Sequence, residues 1–198
     1  MTEKTATTLP LDRRPAAIRD FVLQWGDMGG QWGVNRSVAQ IQALLFVTEG
    51  PMNAEEIATT LGIARSNVSN SLRELQSWRL VTRVPVPGDR RDHFAAETDV
   101  WAMAKRIGAV RKEREFDPAL GVLERCLESA EGDARVSKEQ RRRLEEMQRL
   151  TRSVDRWYEQ MLRVPAGTLD RLLGMGDRVI ALLGLGAKGT RKDRADAA

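Results

Sequence analysis

Apolar residues recur at three- and four-residue steps through most of this chain, and the places where that rhythm breaks divide it. Ile18, Phe21, Val22, Trp25 and Met28 make one stripe, which predicts a helix from Pro15 to about Met28. Gly26, Gly29, Gly30 and Gly33 loosen the backbone there, and Trp32 is expected in a loop. Val38, Ile41, Leu44 and Leu45 predict a second helix from Asn35 or Arg36 to Thr48, stopped by Glu49-Gly50-Pro51. Asn53 with Glu56 has the spacing of a capping box, and Ile57, Ala58 and Leu61 give the helix that follows an inward face. Gly62 supplies a turn suited to positive φ. A helix from about Ala64 to Trp78 then buries Val68, Leu72 and Leu75.

At Leu80 the period changes from helical to alternating. Leu80–Val84 reads as a strand, Pro85–Asp89 as a turn, and His93–Ala96 as the return strand, with Arg90 and Arg91 between them at the tip. The helical rhythm resumes at about Asp99, capped by Thr98 or Asp99, and Asp117-Pro118 breaks or restarts it before it runs on to about Ala130. Ser137 with Gln140 caps a further helix. Its series Leu144, Met147, Leu150, Val154, Trp157 and Met161 is close to a heptad and ends at Val164-Pro165. A last amphipathic helix is expected at about Leu169–Leu183. The fold class is therefore mainly α: a winged helix-turn-helix with a small β-hairpin wing, plus a helical C-terminal dimerisation region. The expected divisions are a flexible arm at 1–12, the winged helix-turn-helix at 13–97, the helical region at 98–186 and a disordered tail at 187–198.

Composition narrows the chemistry. The chain has 198 residues, 30% of them charged, with a net charge of +4. Cys126 and His93 are the only cysteine and histidine, so there is no intramolecular disulfide and little basis for a metal site or a Cys/His nucleophile pair. No catalytic set is coherent and no cofactor is expected. Gly184-Leu185-Gly186-Ala187-Lys188-Gly189 matches a dinucleotide fingerprint by spacing only, because it follows a helix rather than a strand. The polar N-terminus lacks a signal-peptide core and no run of eighteen apolar residues occurs, so a cytoplasmic location and no membrane contact are expected.

Charge concentrates on one segment. Residues 65–91 hold six arginines against two acids, a net +4. The outer face of the helix from Ala64 carries Arg65, Ser66, Asn67, Ser69, Asn70 and Arg73, side chains able to approach double-stranded DNA. Asn67 and Asn70 suit adenine edges, Ser66 and Ser69 suit bases or phosphates, and Arg65 or Arg73 suits guanine or phosphate. Arg90 and Arg91 would reach the adjacent minor groove or its phosphates, with Asp89 or Asp92 holding one of them. Two reading heads require a fixed spacing, so a homodimer on a palindromic operator is expected. The reading from another class is a winged helix that binds protein partners and has little DNA affinity.

The run Trp32-Gly33-Val34-Asn35-Arg36-Ser37-Val38-Ala39-Gln40-Ile41, followed by the helix-turn-helix and Pro87-Gly88-Asp89-Arg90-Arg91-Asp92, resembles the GbsR-type branch of the MarR superfamily. The likeness covers roughly residues 15–130. It implies a bacterial transcriptional regulator, usually a homodimeric repressor, with relatives that respond to choline or related osmoprotectants. Arg36, inside that run, is counted with the DNA-contacting residues. Ala64 departs from the Ser or Thr N-cap of many relatives. A small-molecule effector would fit an aromatic cage for a quaternary ammonium ion built from Trp25, Trp32 and Trp101, with Trp157, Phe21 and Tyr158 as further candidates. Core packing is the other reading of Trp25, Trp101 and Trp157.

Overall fold

A computed structural model describes residues 9–165, 167, 168, 171 and 175. Most of the N-terminal arm, the helix expected at about Leu169–Leu183, the glycine-spaced run at Gly184–Gly189 and the tail from 187 lie outside the described residues. Two compact units divide at Arg111/Lys112.

The first unit is a helical core carrying a small sheet. Its helices are α1 (Ala16–Gln31), α2 (Arg36–Val47), α3 (Ala54–Leu61), α4 (Arg65–Ser77) and α5 (Val100–Arg111). Its strands are β1 (Met52–Asn53), β2 (Val81–Val86) and β3 (Asp89–Ala96), antiparallel in the order β1-β3-β2. The expected stripes converge. Val22, Ile41, Leu44, Ile57, Val68, Leu72, Leu75, Leu80 and Val81 are all buried in one cluster. Each such aliphatic side chain contributes about 1.5–3 kcal/mol relative to leaving it in water. This is a winged helix-turn-helix, mostly helical with a three-stranded wing sheet.

Local signals explain the element ends. Asn53 Oδ1 accepts from the backbone N–H of Glu55 and Glu56, and Glu56 returns a bond to the Asn53 N–H, closing the expected capping box. Gly62 sits at φ 65° and allows the tight reversal into α4. Ala64 caps α4 without a side-chain hydrogen bond. Asp99, not Thr98, caps α5, accepting from Trp101 and Ala102. Asn35 is the N-cap of α2, its Oδ1 accepting from the backbone N–H of Ser37.

Four expectations change. The helix α1 does not end near Met28 but reaches Gln31, because Gly29 lies in contact with Ala39 rather than opening a loop; a Cβ on Gly29 would stand 2.5 Å from that of Ala39. The turn is shorter than Pro85–Asp89. Pro85 and Val86 continue β2 past an irregularity between Val84 and Val86, and Gly88 at φ 81° makes the reversal. Arg90 and Arg91 consequently stand on β3, not in a loop. A third strand, β1, pairs Met52 with Phe94 and Asn53 with His93; two residues leave no periodic trace. Finally, α5 was expected beyond the 97/98 boundary, yet Met103, Ile107 and Val110 pack on the first unit's core.

One backbone position is strained. Arg79 has φ 57°, a left-handed conformation that costs a residue with a Cβ about 1 kcal/mol. Its carbonyl accepts from the guanidinium of Arg106, which also pairs with Glu97 at 2.8 Å. Arg79→Gly is expected to raise stability by about 0.5–1 kcal/mol in urea denaturation, the strain relief exceeding the added freedom of the unfolded chain.

The second unit opens with a π-helical turn at Lys112–Phe116, then α6 (Asp117–Glu131) and α7 (Lys138–Arg163). Ser137 and Gln140 close the expected capping box on α7. Lys112 bridges Asp117 at 2.6 Å and Asp155 at 3.0 Å, and those bonds push its ammonium pKa up. Phe116 stacks on Tyr158 at 5.9 Å. Trp157 was a candidate for core packing. It is 58% exposed and lies with Met147 and Leu150 on an open face of α7. Among the described residues no helix is long and apolar enough to cross a membrane.

Candidate nucleic-acid interface

Between α4 and the wing runs an open groove of about 460 Å³. Arg65, Ser69, Arg73 and Gln76 line it from α4, Arg90, Arg91 and Asp92 from β3, and Glu55 from the start of α3. The geometry follows from the buried stripe. With Val68, Leu72 and Leu75 fixed inward, positions 65, 69, 73 and 76 turn outward along the side facing the hairpin.

The cations differ in how they are held. Arg91 donates from Nε to both oxygens of Asp89, at 3.0 and 3.1 Å, and its backbone N–H reaches Oδ1 at 3.0 Å. That side-chain bond, joined by the backbone bond, keeps the Asp89 carboxyl well below the usual carboxylate range. Glu55 stands 3.7 Å from the same guanidinium. Asp92 pairs with Arg83 across the hairpin. Thus of the two acids expected to hold a wing arginine, Asp89 holds Arg91, while Asp92 serves β2. Arg36 pairs with Asp27 at 3.1 Å. Arg73 bonds Asn70 Oδ1. Arg65 and Arg90 are exposed, and their side chains make no ion pair or hydrogen bond among the described residues.

The polar residues of α4 also separate. Ser66, Ser69 and Asn70 are exposed. Ser69 Oγ donates to the Arg65 carbonyl one turn back. Asn67 is half-buried. Its Nδ2 donates to Ser37 Oγ at 2.8 Å, and its Oδ1 receives Ser71 Oγ at 3.4 Å. The amide expected at an adenine edge is therefore engaged inside the protein, because α2 passes close enough for Ser37 to take the donor. Adenine reading by Asn70 requires Arg73 to release its Oδ1. No local pattern marks the Ser37 contact, since the two residues are thirty positions apart.

The aromatic cage is not assembled. Trp25 and Trp32 line one small, apolar cavity of about 60 Å³ with Met28, Val38, Ile107 and Arg111, but Trp101 is not among its walls. Trp25 packs on Phe21 at 5.5 Å. The Arg111 guanidinium lies 5.3 Å from the Trp32 ring and donates to the Trp32 carbonyl at 2.5 Å. A cation thus already occupies the ring face a quaternary ammonium would need.

Residues 32–92 match the model of the MarR family, a span that begins at Trp32 and ends within β3. The chain is 29% identical over 134 residues to the HTH-type transcriptional regulator MmpR5 of Mycobacterium tuberculosis (strain ATCC 25618 / H37Rv), covering 67% of this chain and 77% of that protein. A crystal structure of a transcriptional regulator superposes with a TM-score of 0.56 at 24% identity, over 74% of this chain and 95% of that one, a likeness of fold. The stretch of this chain that holds the helix-turn-helix and the first part of the wing is thus similar to the MarR family.

Proposed function

We propose that the protein is a sequence-specific regulator of transcription that binds double-stranded DNA as a homodimer and acts in the cytoplasm as a repressor. The groove between α4 and the wing carries the reading: four arginines line it against Glu55 and Asp92. One sugar-phosphate strand fits such a groove when α4 enters the major groove and β3 the adjacent minor groove. Arg65, Arg73, Arg90 and Arg91 serve as phosphate and groove contacts, and Arg36 stands near the start of α2 as a further one. Ser66, Ser69 and Asn70 face the base edges. Asp89 aims Arg91 rather than cancelling it, since a bidentate clamp fixes a guanidinium that would otherwise sample many rotamers.

Dimerisation is supported by the open face of α7. Met147, Leu150 and Trp157 are 54, 61 and 58% exposed at heptad-like spacing, and the described residues offer them no cover. A second copy supplies it and fixes the spacing of two heads on a palindrome. Repression then follows from occupancy of a promoter. The run from Trp32 to Ile41 favours the GbsR-type branch within the family. The Arg111–Trp32 contact argues against choline-like ligands at those tryptophans, so the effector is left to a different chemistry.

Asn67 acts in this reading as a brace that fixes α4 on α2. Asn67→Ala and Ser37→Ala are each expected to lower stability by about 1 kcal/mol, with the double variant no worse than either single one. Chemical denaturation of the four proteins checks this. Selection of duplexes from a random pool tests the function itself. Recovery of one inverted-repeat motif supports it, and recovery of no enriched sequence contradicts it.

A further inference from the structure

His93, the chain's only histidine, sits 5% exposed behind the Asp89–Arg91 clamp. Its Nδ1 lies 3.0 Å from the Arg91 carbonyl. A carbonyl only accepts, so Nδ1 carries the proton and donates. In the neutral ring Nε2 is then a bare lone pair, and it faces Asp89 Oδ2 at 3.6 Å. One imidazole thus touches both halves of the clamp: the backbone of the arginine and the carboxylate that aims its side chain.

We propose that His93 is a positioning residue that couples proton uptake to DNA binding through the wing. The inference rests on the DNA-binding reading above. A proton on Nε2 turns the lone pair into a donor aimed at Asp89 Oδ2. The carboxylate is then shared between His93 and Arg91, so less of its charge offsets the guanidinium that it still aims. The hairpin also gains a positive charge. Both effects favour a nearby phosphate, so duplex affinity rises when His93 takes up a proton.

The surrounding charges are few. On its own strand are Asp89, Arg90 and Arg91, with Asp92 paired to Arg83 of β2. From α3, Glu55 and Glu56 act on Arg91. The helix α2, packed on β3, carries only Arg36, which is engaged by Asp27. Across the pairing register His93 meets Asn53 and Val84, both uncharged. The Asp89 carboxyl, held low by Arg91, stays ionised throughout the range in which an imidazole titrates.

The test uses the full chain without a histidine tag and a mixed-sequence duplex of about 30 base pairs, long enough for two half-sites. At constant ionic strength, lowering pH from about 8 to about 6 is expected to tighten wild-type binding roughly three- to tenfold, within the limit of one decade per pH unit for one proton. His93→Gln is expected to bind with an affinity that is flat over the same range. Because the chain has one histidine, its imidazole proton resonance reports on the native protein directly. Adding duplex at about pH 6.5 is expected to move that resonance toward its protonated position, by the reciprocity of linked binding. This second measurement stands even if His93→Gln fails to fold. Binding with equal pH dependence in wild type and variant, or a resonance that does not respond to bound duplex, overturns the proposal. Absence of duplex binding at every pH instead overturns the DNA-binding reading on which it rests.

Discussion

Replacing Gly29 with alanine is expected to destabilise the winged-helix unit by about 1–2 kcal/mol, although the same change in an open helix raises stability by about 1 kcal/mol. Gly29 is buried inside α1, and the Cβ it lacks would stand 2.5 Å from the Cβ of Ala39 on α2. Real Cβ atoms do not approach so closely, so the helices must part. The side chains beneath them, Val22, Val38 and Ile41 among them, are buried and resist that shift. Overpacking of this kind costs about 1–3 kcal/mol, and it outweighs the propensity gain. Ala39→Gly in the Gly29→Ala background removes the opposing methyl and is expected to recover most of the loss. Urea denaturation of the three variants measures both effects. A Gly29→Ala protein more stable than wild type would show that α1 and α2 do not meet here.

Simultaneous replacement of Arg65, Arg90 and Arg91 by alanine is expected to weaken duplex binding about 100-fold or more while leaving the fold intact. All three are exposed and line the groove between α4 and the wing. None contributes to the buried cluster. Three phosphate contacts at roughly 1 kcal/mol each amount to about 3 kcal/mol, or two decades in affinity. The loss should be nearly the same on a selected operator and on mixed sequence, because phosphate contacts carry no base information. Anisotropy titrations on both duplexes check this. A loss confined to the selected operator would instead make these arginines base readers.

The helix-turn-helix was legible because three separate signals agree there. The stripe of Val68, Leu72 and Leu75, the Asn53–Glu56 capping box and the Gly62 turn each act over a few residues, and local signals survive in a sequence. The wing was legible as a change of period at Leu80. Its register was not. Pro85 reads as a chain breaker, yet it stands in β2 beside an irregularity in the β2–β3 pairing, between Val84 and Val86. The glycines of α1 misled for a related reason. A glycine that loosens a helix and a glycine that lets a second helix approach look alike until Ala39 is placed against Gly29.

The candidate site divides in the same way. Which residues of α4 face outward follows from helical geometry, so Arg65, Ser66, Ser69, Asn70 and Arg73 were all available to sequence reasoning. What each side chain does with its donors depends on neighbours far along the chain. Asn67 meets Ser37 across thirty positions, and Arg111 covers Trp32 across seventy-nine. Pairing within the hairpin was half legible: Asp89 or Asp92 was expected to hold a wing arginine. The two-residue spacing on β3 brings Asp89 to Arg91, while Asp92 meets Arg83 on the neighbouring strand.

The salt dependence of binding to a mixed-sequence duplex tests the central claim most directly. Between about 50 and about 200 mM salt, a groove that neutralises several phosphates is expected to give a straight fall of log affinity against log salt, steeper than about −3 and shallower by about 3 units per protomer in the triple arginine variant. A flat response in the wild-type protein would contradict the account and make the winged helix a surface for protein partners.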